Sequence, residues 1–353
     1  MDNVVELARV TSAHTPGLQY VVIDAQRVLF DYTGGWADIQ NQKPMTLDTT
    51  LMAYSMTKTF TAVAVLQCAE QGALGVDDEL DRYLPNTPYR GQHITVRQLL
   101  DHTSGIPNPI PLRWVHLVAD QAQFDENAAL AQVLRRTPKL AFAPGQRFAY
   151  SNLGYWLLGK IIERVSGQAY VDVVTANVCQ RLSVDDGSMG FVIRDASRHA
   201  KGYLAKYSLM NLIKPFVVDR EVIGGYEGNW LEIKSHYPNG PAFGGLIGTA
   251  CSISRFLQDQ LRAESVLLRP DTKRLLETQQ TDSARRPIPM TLGWHMGTAN
   301  SVPYFFKEGG GGGCHNEMRL YPAKRMASVV MSNSTGFDVK TFLNRMDSAV
   351  GVF

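Results

Sequence analysis

The chain is predicted to be α+β: a mainly antiparallel sheet from both chain ends, flanked by terminal helices, with an inserted mainly helical lobe. Two observations predict this. Strand-like apolar runs cluster near the start and after residue 288, and between them apolar residues recur at helical spacing, broken by Pro and Gly loops. A length of 353 residues suits one large core or two lobes. The expected division is a single domain, 1–353, with 1–50 and 288–353 as the α/β lobe and 51–287 as the mainly helical lobe.

Residues 3–13 pattern as a short amphipathic helix. "LQYVVID" and "RVLFDYTGG" come next as two strands joined by a tight connection around Ala25-Gln26. Helices are expected at 56–71, 96–101, 127–136, 153–165 and 252–263. Gly167 should stop the fourth of these, and Arg135-Arg136 fits a solvated helix end. Strand signals return in "MTLGWHMG", "VPYFFKEGG", "EMRLYP" and "ASVVMSN", and a last helix is expected near 337–349.

With 44% hydrophobic and 19% charged residues, the composition is that of a soluble globular protein. A net charge of +2 gives no electrostatic reason for a nucleic-acid partner. No apolar run approaches the roughly 18–20 residues of a membrane span. "MDNVVELARV" has neither a basic n-region nor an apolar h-region, so no signal peptide is expected, and the compartment stays open. Cys68, Cys179, Cys251 and Cys314 form no C-x-x-C pair and are expected as free thiols. The eight histidines show no H-E-x-x-H spacing, Cys314-His315 fits a strand edge, and neither metal nor cofactor is implied.

Three short motifs carry candidate chemistry. In "AYSMTKTF", Ser55 is placed as the N-cap of the helix and Lys58 in its first turn, where a capping box would want Glu or Gln. A cation there opposes the positive helix end. Serine and lysine three residues apart share one helix face, about 5–6 Å apart at Cβ. A lysine whose pKa is lowered by positive potential and desolvation can deprotonate a serine. S-x-x-K occurs once in the chain. In "FAYSNLGYW", Tyr150 can relay a proton and the Asn152 amide can hold a carbonyl or the lysine. Ser151 or Asn152 could instead simply cap the next helix, with Tyr150 ending a short strand, and Tyr237-Pro238-Asn239 repeats the Y-x-N spacing. In "FFKEGGGGGCHNE", Lys307-Glu308-Gly309 ends an apolar strand, and the glycines allow close approach of backbone or ligand. No nucleotide-binding pattern accompanies them.

S-x-x-K, then Y-x-N, then K-x-G in that order resembles the serine β-lactamase and penicillin-binding-protein superfamily. "DTTLMAYSMTKTFTAVAVLQCAEQGALGVDDELDRYLP", "ITVRQLLDHTSGIP", "FAPGQRFAYSNLGYWLLGKIIERVSG", "GPAFGGLIGTACSISRFL" and "KEGGGGGCHNEMRLYP" narrow it to the class C β-lactamase, D,D-peptidase and esterase branch. The resemblance covers nearly the whole chain and is weakest at about 185–240. It implies a β-lactamase/transpeptidase-like fold and a serine hydrolase. Ser55 would be the acylated nucleophile, with Lys58 and Tyr150 sharing its proton. Asn152 would orient the acyl group and Lys307 tune Tyr150. Backbone N–H groups of Ser55 and Gly310 would form an oxyanion hole, with Gly309 and Glu308 beside the substrate. His102, in "HTSG", receives no chemistry. The middle residue of K-x-G is often Thr or Ser and here is Glu308, an anion that should disfavour substrate carboxylates. The expected substrate is a small ester, amide or peptide. The alternatives are a β-lactamase or D-alanyl-D-alanine carboxypeptidase, or a non-enzymatic penicillin-binding-like sensor or scaffold.

Overall fold

The computed structural model describes residues 2–109, 113–217 and 219–352. Its largest sheet has seven strands, all paired antiparallel. β1 (Gly17–Asp24), β2 (Val28–Asp38) and β3 (Lys43–Pro44) come from the start of the chain. β4 (His295–Ala299), β5 (Val302–Gly311), β6 (Cys314–Tyr321) and β7 (Met326–Ser332) come from the end. The spatial order is β4-β5-β6-β7-β1-β2-β3. The two halves join where β1 lies against β7, Leu18 opposite Ser332 and Asp24 opposite Met326. Asp24 closes the turn around Ala25-Gln26 by accepting the backbone N–H groups of Gln26 and Arg27, both at 2.8 Å.

Five helices pack on this sheet or against one another: α1 (Asp2–His14), α2 (Thr57–Glu70), α3 (Asn152–Ser166), α4 (Ala250–Leu261) and α5 (Val339–Ala349). β1 is covered on both faces, so its side chains alternate between two cores. Val21 and Ile23 join the large core with α2, α3 and α4, while Tyr20 and Val22 join a second core under α1 and α5. A buried polar cluster fastens α5 to the sheet. Asp347 accepts hydrogen bonds from Tyr20 (2.6 Å), Tyr321 (2.7 Å) and Ser328 (2.8 Å). Arg319 pairs with Glu317 and donates to Asn344 at 2.7 Å.

α2 is buried from Thr57 through Cys68, a helix with no solvent face. α3 starts as expected, with Ser151 accepting the Gly154 N–H at 3.1 Å, and Gly167 stops it at φ +70°. Two expectations need correction. The segment 290–294 is a turn, with Gly293 at φ +122°, so that strand begins only at His295. The middle of the chain also carries small sheets, such as Gly202–Ala205, Trp230–Ile233 and Ile223–Glu227 together. Strands this short hold too few residues to display a period of two. Among the described residues, no helix is long and apolar enough to cross a membrane.

Candidate active site

Ser55 does not cap α2. It lies in a 3-10 turn, Tyr54–Met56, and α2 begins at Thr57 with no side-chain cap. Its hydroxyl is engaged elsewhere: Oγ lies 2.9 Å from Lys58 Nζ and 2.7 Å from the Tyr150 hydroxyl. Tyr54, just before it, has φ +45°, a costly conformation for a residue with a Cβ. Two contacts hold it there: its hydroxyl lies 2.6 Å from Gly312 O, and Ala53 N–H donates to Leu246 O at 2.8 Å.

Lys58 is fully buried, and its Nζ has two further partners, Asn152 Oδ1 at 2.7 Å and Phe243 O at 2.5 Å. Asn152 is itself held, because Asn108 Oδ1 accepts both its backbone N–H (3.0 Å) and its Nδ2 (3.1 Å). Burial, with the nearby Lys307 cation, pulls the Lys58 pKa well below that of a free lysine. Lys307 is also fully buried, and burial lowers it to about 7. Both Nζ atoms lie over the Tyr150 ring, Lys58 at 4.9 Å and Lys307 at 5.4 Å from its centroid. Tyr150 is raised, first by burial and then by the Glu308 charge, against the pull of its Ser55 hydrogen bond. The fold thus brings Ser55, Lys58, Tyr150, Asn152 and Lys307 into one cluster.

The duplicate Y-x-N lies elsewhere. The Tyr237 hydroxyl accepts the Ile193 N–H at 2.9 Å, and Asn239 Oδ1 faces His116 at 2.9 Å. The residues 148–150 form no strand, so Tyr150 enters the site from a loop that α3 anchors.

Two predicted substrate contacts are placed differently. Along β5, Lys307 is buried toward Ser55 and Glu308 is turned to the opposite face, half exposed. Glu308 Oε1 meets His315 Nε2 at 2.6 Å, and His315 Nδ1 faces Phe337 O at 2.6 Å. With an acceptor on each ring nitrogen, His315 is satisfied only as the imidazolium. Its pKa is raised by Glu308 despite the opposing effect of burial, and Glu308 is lowered by that hydrogen bond. Gly309 serves packing rather than lining the cleft, because a Cβ there would lie 2.1 Å from Ala53 O. A Cβ on Gly311 would likewise meet the Tyr54 ring at 2.5 Å. Gly310 lines the cleft.

That cleft lies beside Ser55 and Asn152 and is open to solvent. Trp114, Val222, Pro238 and Phe243 give it apolar walls, and Tyr54 with His236 closes another side. Sequence reasoning missed several participants. His295 Nε2 lies 3.4 Å from Lys307 Nζ; burial and the two lysines hold it down to about 2, so it is neutral. His102, already noted in "HTSG", packs its ring 4.5 Å from that of Tyr150 and accepts the Ser151 N–H at 3.2 Å. His295 was findable only as the residue that begins the strand beside the lysine, and Asn108 gave no signal at all.

The Beta-lactamase family matches residues 4–349. The chain belongs to that family. Within it, penicillin-binding protein 4* of Bacillus subtilis (strain 168) is 33% identical over 152 residues, 43% of this chain and 33% of that protein. The match therefore spans a third of that curated relative's length. Among solved structures, D-amino acid amidase from Ochrobactrum anthropi SV3 superposes with TM-score 0.82 at 20% identity, covering 99% of this chain and 97% of that one. EstCE1, described as a hydrolase with promiscuous acyltransferase activity, gives TM-score 0.71 at 21% identity, covering 99% and 98%. At these identities the structural likeness establishes the β-lactamase/transpeptidase-like fold.

Proposed function

We propose that this Beta-lactamase family member cleaves an ester or amide through an acyl-enzyme on Ser55. The observation that carries the reading is the position of Lys58 Nζ, fully buried and 2.9 Å from Ser55 Oγ. Asn152 Oδ1 and Phe243 O can only accept, which uses two N–H groups. In its neutral form the amine has one lone pair left for the Ser55 hydroxyl. An amine whose charged form burial disfavours, held against a serine, can act as its general base.

In the first step Oγ bonds to the substrate carbonyl carbon as its proton passes to Lys58. Backbone N–H groups of Ser55 and Gly310 stabilise the oxyanion. The carbon–leaving-group bond then breaks, and the proton reaches the departing alcohol or amine through Tyr150. Water repeats the sequence on the acyl-enzyme, releasing the acid and restoring the serine hydroxyl. The amidase neighbour and the hydrolase EstCE1 support an acyl-transfer substrate such as an ester or amide, and the apolar cleft supports a neutral one. A fluorophosphonate probe followed by mass spectrometry should give one adduct, on the peptide bearing Ser55, absent in Ser55→Ala. An adduct on Ser151 or Ser104 would overturn the assignment.

A further inference from the structure

The wall of the cleft formed by Tyr54, His236 and Gly312 is short of one proton. His236 Nδ1 lies 2.8 Å from Lys234 O, and a carbonyl only accepts, so Nδ1 carries a hydrogen. The Tyr54 hydroxyl lies 2.6 Å from Gly312 O and 3.0 Å from His236 Nε2. It has one proton for those two acceptors. Protonating Nε2 would complete the set, but His236 is 5% exposed and burial favours its neutral form. No carboxylate is among the described residues lining the cleft to hold an imidazolium there. One acceptor on this wall therefore waits for a donor, and a buried acceptor without one is costly. The approach to it is open because Gly312 has no side chain: a Cβ there would stand 3.0 Å from His236 Cε1 and 3.3 Å from Nε2.

We propose that the cleft selects a neutral, mainly apolar substrate that brings its own N–H or O–H donor to the His236–Tyr54–Gly312 wall. The inference rests on the serine hydrolase reading and narrows its substrate class. Trp114, Val222, Pro238 and Phe243 favour the apolar part of such a molecule. The same lining lacks a counter-charge for an ammonium group, so the donor is an uncharged amide or hydroxyl.

Nitrophenyl esters whose acyl chains end in a carboxamide or in the isosteric methyl ketone test this directly, since each pair differs only in the N–H donor. At one chain length the carboxamide should show about ten-fold or more higher kcat/KM, the discrimination of one well-placed buried hydrogen bond. In His236→Phe the preference should vanish, because the Tyr54 proton then serves Gly312 O alone. In Tyr54→Phe it should grow, because both acceptors are left bare. Gly312→Ala should remove the preference by closing the approach while leaving the hydrogen bonds in place. Each ratio is internal to one variant, so a general loss of activity does not disturb it. If His236→Phe fails to fold, the opposite signs in Tyr54→Phe and Gly312→Ala still decide. No preference at any chain length in the unaltered protein, or a preference surviving in His236→Phe or Gly312→Ala, would overturn the proposal. Failure of the serine hydrolase reading looks different: neither ester is turned over and Ser55 takes no fluorophosphonate.

Discussion

Burial disfavours the charged form of Lys58, with consequences for rate and stability. Its charge would sit in a fully buried site beside a second lysine. Lys58→Ala and Tyr150→Phe should each lower kcat by about two orders of magnitude or more. Because both act on the Ser55 proton, the double variant should lose far less than the product of the two. Tyr237→Phe is the control, since that hydroxyl only accepts the Ile193 N–H; an equal loss there would mean the wrong tyrosine had been chosen. The stability effect has a definite sign. Between the depressed native pKa and ~10.4, the unfolded chain binds a proton that the native protein does not. Stability is therefore lost as pH falls through that window. Lys58→Met removes a donor from Asn152 Oδ1 and Phe243 O, so its Tm should be read relative to the unaltered protein as pH changes. The difference should be more favourable to the variant near neutral pH than near pH ~10.4. A difference independent of pH would show that the lysine charge does not contribute.

Strand β5 sorts its side chains by alternation, which sets what each end of K-E-G can do. Lys307 and Gly309 turn inward, and Glu308 turns to the face where His315 waits. The groups bearing on this pair are Lys340 and Asp338 near the start of α5 and Glu317 on β6. While His315 is protonated it compensates the Glu308 charge; above its raised pKa the carboxylate is bare. Discrimination against anionic substrates should thus grow as pH rises through the raised His315 pKa. The ratio of neutral ester to cephalosporin hydrolysis is expected to increase over that range, and to weaken in high salt. Glu308→Thr should flatten the pH dependence and shift the ratio toward the β-lactam. If the ratio is insensitive to both pH and Glu308→Thr, the carboxylate does not influence the substrate.

The molecule as a whole depends on joining its two chain ends. β1 meets β7 in the middle of the sheet, and α5 is fastened across them by Asp347. Asp347→Ala would leave the hydroxyls of Tyr20, Tyr321 and Ser328 buried without that acceptor. At about 1–3 kcal/mol for each unsatisfied group, the loss should be about 3 kcal/mol or more, read from the urea midpoint. These groups lie in the second core, away from Ser55, so kcat of the folded fraction should change little. A comparable fall in kcat without loss of stability would show that α5 helps to shape the site.

The amino-acid sequence by itself determined the elements whose spacing is repetitive and local. Alternation revealed the strands at both ends, helical spacing revealed α2 and α3, and one turn of helix put Lys58 beside Ser55. The order of three motifs then pointed to the family and to the residues that converge. Tertiary structure alone decided the rest, because it turns on partners remote in sequence. The acceptors that hold Lys58 Nζ lie 94 and 185 positions away, at Asn152 and Phe243. The choice of Tyr150 over Tyr237, the release of Ser55 from a capping role and the turning of Glu308 toward His315 all follow from such contacts. So does the bare acceptor beside Tyr54, because His236 reaches it from 182 positions further along the chain. Periodicity shows which face a side chain takes, but burial and hydrogen-bond partners, which set its charge, exist only once distant segments have packed together.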